Sequence, residues 1–545
     1  MKINQRRPEN MMNPYVSDTA GRGRVQLPLP AQSLSTEVTG DFTLPDYQPE
    51  IKRLLRIGVN LLPPNGAGSN NSSELAGSMD YYVLYVGQDG GVYCAPLSTE
   101  YRLETKEKGD SGLLNALGEP MVYLCDLSSE VPVGRVTAPR RLHIRCKVKA
   151  RARAYGECPL EGDSEEDPTV ETLTAEERVG RLYRALGENL ALQDDILLSP
   201  ADGEMRVVCA EGQVMVTEAT PAMGLVNCRG EVTVKLILSP AEEEAAFAMD
   251  TPTPREARPL TILQRKIPFS QAVEVEGVTP ACTATACGYC AEISVLMEEG
   301  HLHVDMGVVC EIRAQENETV TYVKDRYSTR REGTAHYATY PAEAALRALN
   351  GNFTLSDSLP LAEVGMDPAS RVADITATAI PEELTTDPSK GRCVLTGKCR
   401  CHLLLLRDGE YSPAEMELPF RYEFDIPAAE MADGAPADFD GRVTVVNCRA
   451  RMDGERVGVD AELAVSLRTY RPALFTALTE FTTGEEVTRR QGEYAVCFPA
   501  PADSVWSVAK RYHAPMAALT AANNLSAGVQ PDGEESLEGV KYLIV

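Results

Sequence analysis

Apolar and polar residues alternate with a period of two along three stretches of this chain. Strict alternation gives a strand one buried and one wetted face, the mark of antiparallel sheet. Leu142, Ile144, Cys146 and Val148 alternate with polar residues in the first stretch, and Leu302, Val304, Met306, Val308 and Cys310 in the second. Val457, Val459, Ala461, Leu463, Val465 and Leu467 do so in the third. Upstream of each lies a glycine-led apolar strand, beginning at Gly77, Gly230 and Gly397. A further strand follows each glycine-led one: Tyr101-Arg-Leu103, Ile267-Pro-Phe-Ser-Gln-Ala-Val-Glu-Val275 and Leu418-Pro-Phe-Arg-Tyr-Glu-Phe-Asp-Ile426. The proline before phenylalanine belongs at a strand start or an edge, since it cannot donate to a ladder. The pattern predicts three copies of one antiparallel, sandwich-like unit, over 40–156, 201–340 and 367–475.

Between the copies the pattern changes. Residues 161–168 form an acidic linker, and Val179, Leu182, Leu186 and Leu190 recur at helical spacing. An amphipathic helix is therefore expected within the connector 157–200. Pro341 to Asn350 predicts a second short helix, ended by Gly351, in the connector 341–366. The polar segment 1–39 reads as disordered and 476–492 as a linker.

The last stretch, 493–545, has a different rhythm. A short strand at Tyr494-Ala-Val496 leads to a helix that places Val505, Val508, Ala509 and Tyr512 on one face. Asp503 or Ser504 is positioned to cap it, because either side chain can accept from free N–H groups of the first turn. A second helix around Leu519–Leu525 and a closing strand at Lys541–Val545 complete a βααβ unit. The expected fold class is mainly β: tandem antiparallel β-sandwich-like units followed by a small βααβ domain.

Composition narrows function. At 545 residues the chain has room for about three to five domains of roughly 100–200 residues. A formal charge of −27 argues against nucleic acid and anionic membrane surfaces, which require a basic face. No run approaches the ~18 apolar residues that span a bilayer, and the opening residues have no apolar core of a signal peptide. The fifteen cysteines, an odd number, read as reduced thiols. Cys146, Cys310 and Cys399 should point into sheet faces, unpaired and metal-free. Cys287 and Cys290 with His301 and His303 are the arrangement closest to a zinc site. They fall in alternating strands without a second pair at the usual spacing, so they read as strand residues. No cofactor is expected. The six histidines are dispersed, and no nucleophile elbow, phosphate-binding glycine loop or His-Glu-x-x-His helix occurs. The expectation from these absences is a non-enzyme.

The segment from Tyr494 to Val545, with Asp503-Ser-Val-Trp-Ser-Val-Ala, Leu519-Thr-Ala-Ala-Asn-Asn and Leu543-Ile-Val, resembles a LysM module. LysM modules bind N-acetylglucosamine polymers such as peptidoglycan or chitin-type glycans, in a groove between the loop before the first helix and the loop before the last strand. By that resemblance the recognition positions are Ala502, Asp503 and Ser504, with Val529, Gln530, Pro531, Asp532 and Gly533. Trp506, Tyr512, Asn523, Asn524 and Ile544 are structural, Trp506 packing toward Tyr542 and Ile544. Ala502 stands where the family has glycine, and the second loop is long and acidic. Glycan and protein therefore both remain candidate ligands.

The opening of the first unit, Asp41-Phe-Thr-Leu-Pro-Asp-Tyr-Gln-Pro-Glu-Ile-Lys-Arg-Leu-Leu55, with its glycine-led, Pro-Phe and closing strands, resembles the SPOCS domain. SPOCS units beside a C-terminal LysM are found in the SipL-type spore coat morphogenesis family of endospore-forming Clostridia. The resemblance implies a non-enzymatic scaffold of the mother-cell cytoplasm and forespore surface or spore coat. Its implied partners are a coat morphogenetic ATPase or other coat proteins. The alternative is a peptidoglycan-binding protein of the cell wall or cortex.

Overall fold

The computed structural model of the chain describes residues 24–64, 74–105, 121–160, 167–199, 204–240, 260–298, 300–387, 389–427, 438–488, 495–500, 503–525, 537 and 540–545. The chain is mainly β, and every strand pair is antiparallel. Three successive stretches repeat one plan. The first comprises β1 (Arg24–Thr43), β2 (Ile51–Leu61), β3 (Glu74–Gly87), β4 (Val92–Glu104), β5 (Met121–Ser129), β6 (Val133–Ala138) and β7 (Arg141–Pro159). The second comprises β8 (Val170–Leu186), β9 (Leu190–Leu197), β10 (Met205–Ala222), β11 (Leu225–Pro240), β12 (Thr261–Glu274), β13 (Thr283–Glu298) and β14 (His301–Ser328). The third has β15 (Arg331–Pro360), the one-turn helix α1 (Leu361–Val364), β16 (Arg371–Asp387), β17 (Arg392–Arg407), β18 (Glu410–Asp425), β19 (Asp438–Asp453) and β20 (Arg456–Glu486).

In each repeat three strands form a meander, β2-β3-β4, β10-β11-β12 or β16-β17-β18. The opening strand pairs with the closing strand, giving the second sheet: β1-β7-β5, β8-β14-β13 and β15-β20-β19. The alternating residues of the closing strands face the meander. Leu142, Ile144, Cys146 and Val148, Leu302 to Cys310 at alternate positions, and Val457 to Leu467 likewise are buried in three separate cores. The leading glycines have a steric cause. Gly77, Gly230 and Gly397 pair in register with Tyr101, Phe269 and Phe420. A Cβ on Gly230 would stand 2.1 Å from Met215 O, and one on Gly397 2.3 Å from Ile380 O and 2.5 Å from the Phe420 ring. The aromatic ring covers the gap the glycine leaves. Pro268 and Pro419 lie on β12 and β18, the edge strands of their meanders. Gly397→Ala should therefore destabilise the chain by about 1–3 kcal/mol through overpacking. Urea unfolding checks this, and an unchanged midpoint would refute it.

Four segments expected to be helix, linker or disordered are wholly or partly strand. The helix expected around Val179, Leu182, Leu186 and Leu190 is instead β8 and the start of β9, and β8 pairs with β14 throughout. Its spacing misleads because both faces of β8 are covered: Val179 packs in one cluster and Leu182 in another, with Tyr123 and Tyr155. A strand buried on alternate faces mimics a helical period. The alanine-rich 341–350 lies within β15, paired to β20, and α1 is the only helix in the expected connector among the described residues. Small side chains serve close approach there, since a Cβ on Gly180 would meet Ala345 N and Glu343 O at 2.9 Å. Tertiary packing overrides alanine's helix preference. Residues 24–39, expected to be disordered, belong to β1 and pair with β7, while 1–23 lie outside the described residues. The expected linker 476–492 is strand as far as Glu486, and most of the acidic linker 161–168 lies outside the described residues.

The repeats meet at shared clusters. Leu84, Ile237 and Leu404, each seven residues after its leading glycine, pack in one cluster drawn from all three meanders. Beside it Arg56 Nη2 donates to Glu211 Oε1 and Nη1 to Asp374 Oδ2, each at 2.6 Å, so one guanidinium joins all three repeats. A second junction forms where the closing strands converge. Arg153, Arg313 and Arg468 are each the thirteenth residue of their strand and at most 5% exposed. Arg153 Nη1 donates to Asp440 Oδ1 (3.2 Å), Arg313 Nη2 to Leu124 O (2.7 Å), and Arg468 Nη2 to Tyr155 Oη (2.9 Å). Arg153 also pairs with Glu343 and Arg468 with Asp440. Each arginine thus bonds a residue of another repeat. Asp440 also accepts from Tyr123 Oη at 2.6 Å. Burial alone would raise the Asp440 pKa, yet Arg468 and Arg153 outweigh it and hold the carboxyl far below its ordinary value.

Candidate docking module and its seam with the second repeat

After β20 the chain forms a small strand–helix–helix–strand module: β21 (Val496–Cys497), α2 (Val505–Arg511), α3 (Met516–Ala522) and β22 (Leu543–Ile544), with β21 antiparallel to β22. Ser504 rather than Asp503 caps α2. Its Oγ accepts from Ser507 N, and Ser507 Oγ accepts from Ser504 N, a reciprocal pair that satisfies two free donors. Val505, Val508 and Ala509 are buried with Leu519 and Leu543, and Tyr512 packs partly against them. Asn523 ties α3 to β22: Nδ2 donates to Ile544 O and Oδ1 accepts from Ile544 N, both at 2.7 Å. Asn524 ends α3 in the left-handed region at φ 48°, a conformation asparagine tolerates.

Asp503, expected on an exposed recognition loop, is only 9% exposed. Its carboxylate accepts from Ala500 N at 2.9 Å and from Arg511 Nη2 at 2.6 Å. The Arg511 hydrogen bonds and then the Ala500 N–H hold its pKa below the ordinary value. Ala502 and the second loop, Val529, Gln530, Pro531, Asp532 and Gly533, lie outside the described residues, as does Tyr494.

Trp506 shares an apolar cluster with Leu543 of the module and also reaches across to the second repeat. It packs edge-on against Tyr327 of β14, centroids 4.9 Å apart, and Nε1 donates to Asp325 Oδ2 at 2.9 Å. Tyr542 and Ile544, its expected neighbours, are 57% and 37% exposed. Lys510 Nζ donates to both Asp325 oxygens at 2.7 Å, and Tyr337 Oη donates to Asp325 Oδ1 at 2.7 Å. Burial raises the Asp325 pKa, but Lys510, Trp506 and Tyr337 together hold it below the ordinary value. A lowered carboxylate pKa stabilises the folded seam above the unfolded-state pKa, and that contribution is lost as pH falls through the lowered value. Further bonds cross the same seam. Tyr327 Oη donates to Ala514 O (2.7 Å), and Met516 N donates to Glu171 Oε1 (3.3 Å). Glu171 supplies the start of α3 with the side-chain acceptor that Pro515 cannot offer. Leu173 of β8 completes the apolar contact.

Elsewhere, a cleft of about 350 Å³ opens where the three repeats meet, lined by Tyr82, Gln213, Thr376 and His402 among others. Of its lining residues, Arg56 and Glu211 pair with each other and Arg56 also pairs with Asp374, so these charges are committed to joining the repeats. Cys287 and Cys290 lie three apart on β13 and so on opposite faces, while His301 and His303 pair with the far end of that strand. The four do not converge. No disulfide joins any of the fifteen cysteines, and all but Cys94 and Cys448 are buried. Among the described residues no helix is long and apolar enough to cross a membrane. The chain matches no family model, no curated protein and no solved structure.

Sequence reasoning missed Asp325, Tyr327 and Glu171 because their role exists only across the seam. It also missed Arg153, Arg313 and Arg468. Here a signal was present: one arginine recurs at the same position of three aligned closing strands, on the face opposite the sandwich core.

Proposed function

We propose that this chain is a non-enzymatic scaffold of endospore coat assembly. In this reading three SPOCS-like repeats form a rigid body in the mother-cell cytoplasm, and a LysM-like module docks it to a protein on the forespore surface, such as the coat morphogenetic ATPase. The observation that carries the reading is the seam between Trp506, Lys510 and Asp325. It joins the module to β14, and in this reading the joined units present one surface to a protein partner. The commitment of Asp503 to Arg511 adds support, because by the LysM resemblance Asp503 is one of the positions a glycan would use.

The test uses the full chain, the chain lacking residues 495–545 and an Asp325→Ala variant, each presented to the purified coat ATPase and to sporulation peptidoglycan. Retention of the ATPase by the full chain, and its loss on module deletion, is expected. Sedimentation with peptidoglycan but no ATPase retention would replace this reading with a glycan-binding one.

A further inference from the structure

The seams between neighbouring meanders are built alike, but one carries different chemistry. Where β4 of the first repeat faces β10 of the second, Cys94 Sγ lies 3.0 Å from Cys209 Sγ. An S–S bond is about 2.05 Å, so the two sulfurs need approach by only about one ångström. Several features hold them there. Register shifts between Val207 and Cys209, and this bulge turns both Val208 and Cys209 into the junction. Arg206 clamps β4 from the same strand, donating to Val92 O at 2.7 Å with its guanidinium 4.3 Å from the Tyr93 ring centroid. Gln48 Nε2 donates to Cys94 O at 3.0 Å.

The repeat itself supplies a control. Cys94, Ile262 and Pro413 pair with the equivalent residues Leu84, Ile237 and Leu404, and on the other side of those residues stand Arg56, Cys209 and Asp374. The other two seams therefore bring Ile262 toward Asp374 and Pro413 toward Arg56, and neither offers a thiol pair. The accessibilities also differ usefully: Cys94 is partly exposed, whereas Cys209 is 4% exposed. Cys399 and Cys401, with sulfurs 4.0 Å apart, are both buried within one strand.

We propose that Cys94 and Cys209 form a redox site that reacts with low-molecular-weight disulfides and closes a covalent brace between the first and second repeats. The Cys94 thiolate attacks one sulfur of the oxidant, releasing one thiol and leaving a mixed disulfide on Cys94. Cys209 then loses its proton to solvent and attacks the Cys94 sulfur, expelling the second thiol. Two protein thiols are oxidised and one disulfide is reduced to two thiols. The hydrogen bond to Cys94, followed by burial, raises the Cys209 pKa, which assigns the first attack to the more accessible partner. The brace closes a long loop across the junction, where a cross-link most restricts the unfolded chain.

The full chain, purified reduced, is incubated with oxidised glutathione and followed by intact mass, non-reducing peptide mapping and thermal unfolding. The first product should be lighter by two hydrogens, carry only the Cys94–Cys209 linkage and melt at a higher temperature, a shift that dithiothreitol reverses. Cys209→Ser should stop at a glutathione adduct on Cys94, and Cys94→Ala should form neither adduct nor linkage at this seam. A different first linkage, a glutathione adduct that persists on Cys94 of the parent chain, or a linked product with an unchanged or lower midpoint would each overturn the proposal.

Discussion

Asp440→Ala should cost about 3–5 kcal/mol, the effect of leaving buried charges without their partner. The carboxylate is 1% exposed and accepts from Arg153, Arg468 and Tyr123, side chains contributed by two repeats. Removing it strands two guanidiniums at a junction with little water to solvate them. Because Arg468 also bonds Tyr155, and Arg153 also pairs with Glu343, the loss should spread across the closing strands as one cooperative change. Chemical unfolding of the full chain should show a lower midpoint and reduced soluble yield. The pH dependence has a definite sign. The folded-state pKa of Asp440 is depressed, so its stabilisation is complete above the unfolded carboxylate pKa and persists far into acid before being lost. Glu410→Ala is the control, since its pair with Arg53 is largely exposed and such pairs contribute about 0–1 kcal/mol. An Asp440→Ala chain as stable as the Glu410→Ala chain would show that the junction does not hold the repeats.

Trp506→Ala should remove about 3–5 kcal/mol from the module and its seam, the range for truncating a buried large aromatic side chain. The indole is 7% exposed, so its removal leaves a void against Tyr327 and takes one donor from Asp325. Calorimetry should show the module melting as a separate low-temperature transition while the repeats unfold as before. Asp325→Ala distinguishes seam from module core. It deletes the shared acceptor of Trp506, Lys510 and Tyr337 without touching the module itself. Trp506 is the sole tryptophan, so its fluorescence reports the seam directly, and a shift to longer wavelength is expected in Asp325→Ala. Emission identical to the parent would place Trp506 in the core of the module and refute the seam as its environment.

Period-two alternation was sufficient to identify the closing strands, because a sheet with one face on a core writes its burial directly into neighbouring residues. The glycine-led strands were legible for a related reason: a glycine opposite an aromatic ring is a local cross-strand requirement, visible wherever the two motifs recur. The Ser504 cap and the apolar face of Val505, Val508 and Ala509 were likewise local. The opening strands were not. β8 and β15 bury residues on both faces, Val179 and Leu182 lying in separate clusters that each draw on other repeats, so these residues, or the alanines of 341–350, imitate a helix. Leu182 meets Tyr123 and Tyr155 of the first repeat, and the alanines pair with β20, partners that no local period announces. The same limit applies to function. Asp503 has the residue type of a recognition loop, yet Arg511 claims its carboxylate, and Trp506 has the spacing of a core residue, yet its partner is Asp325 of another unit. Sequence determined which residues alternate, cap and turn, because those depend on near neighbours. Tertiary structure decided which outward faces are covered, and with that the buried arginines, the module seam and the Cys94–Cys209 pair, because contacts between repeats are specified by neither strand alone.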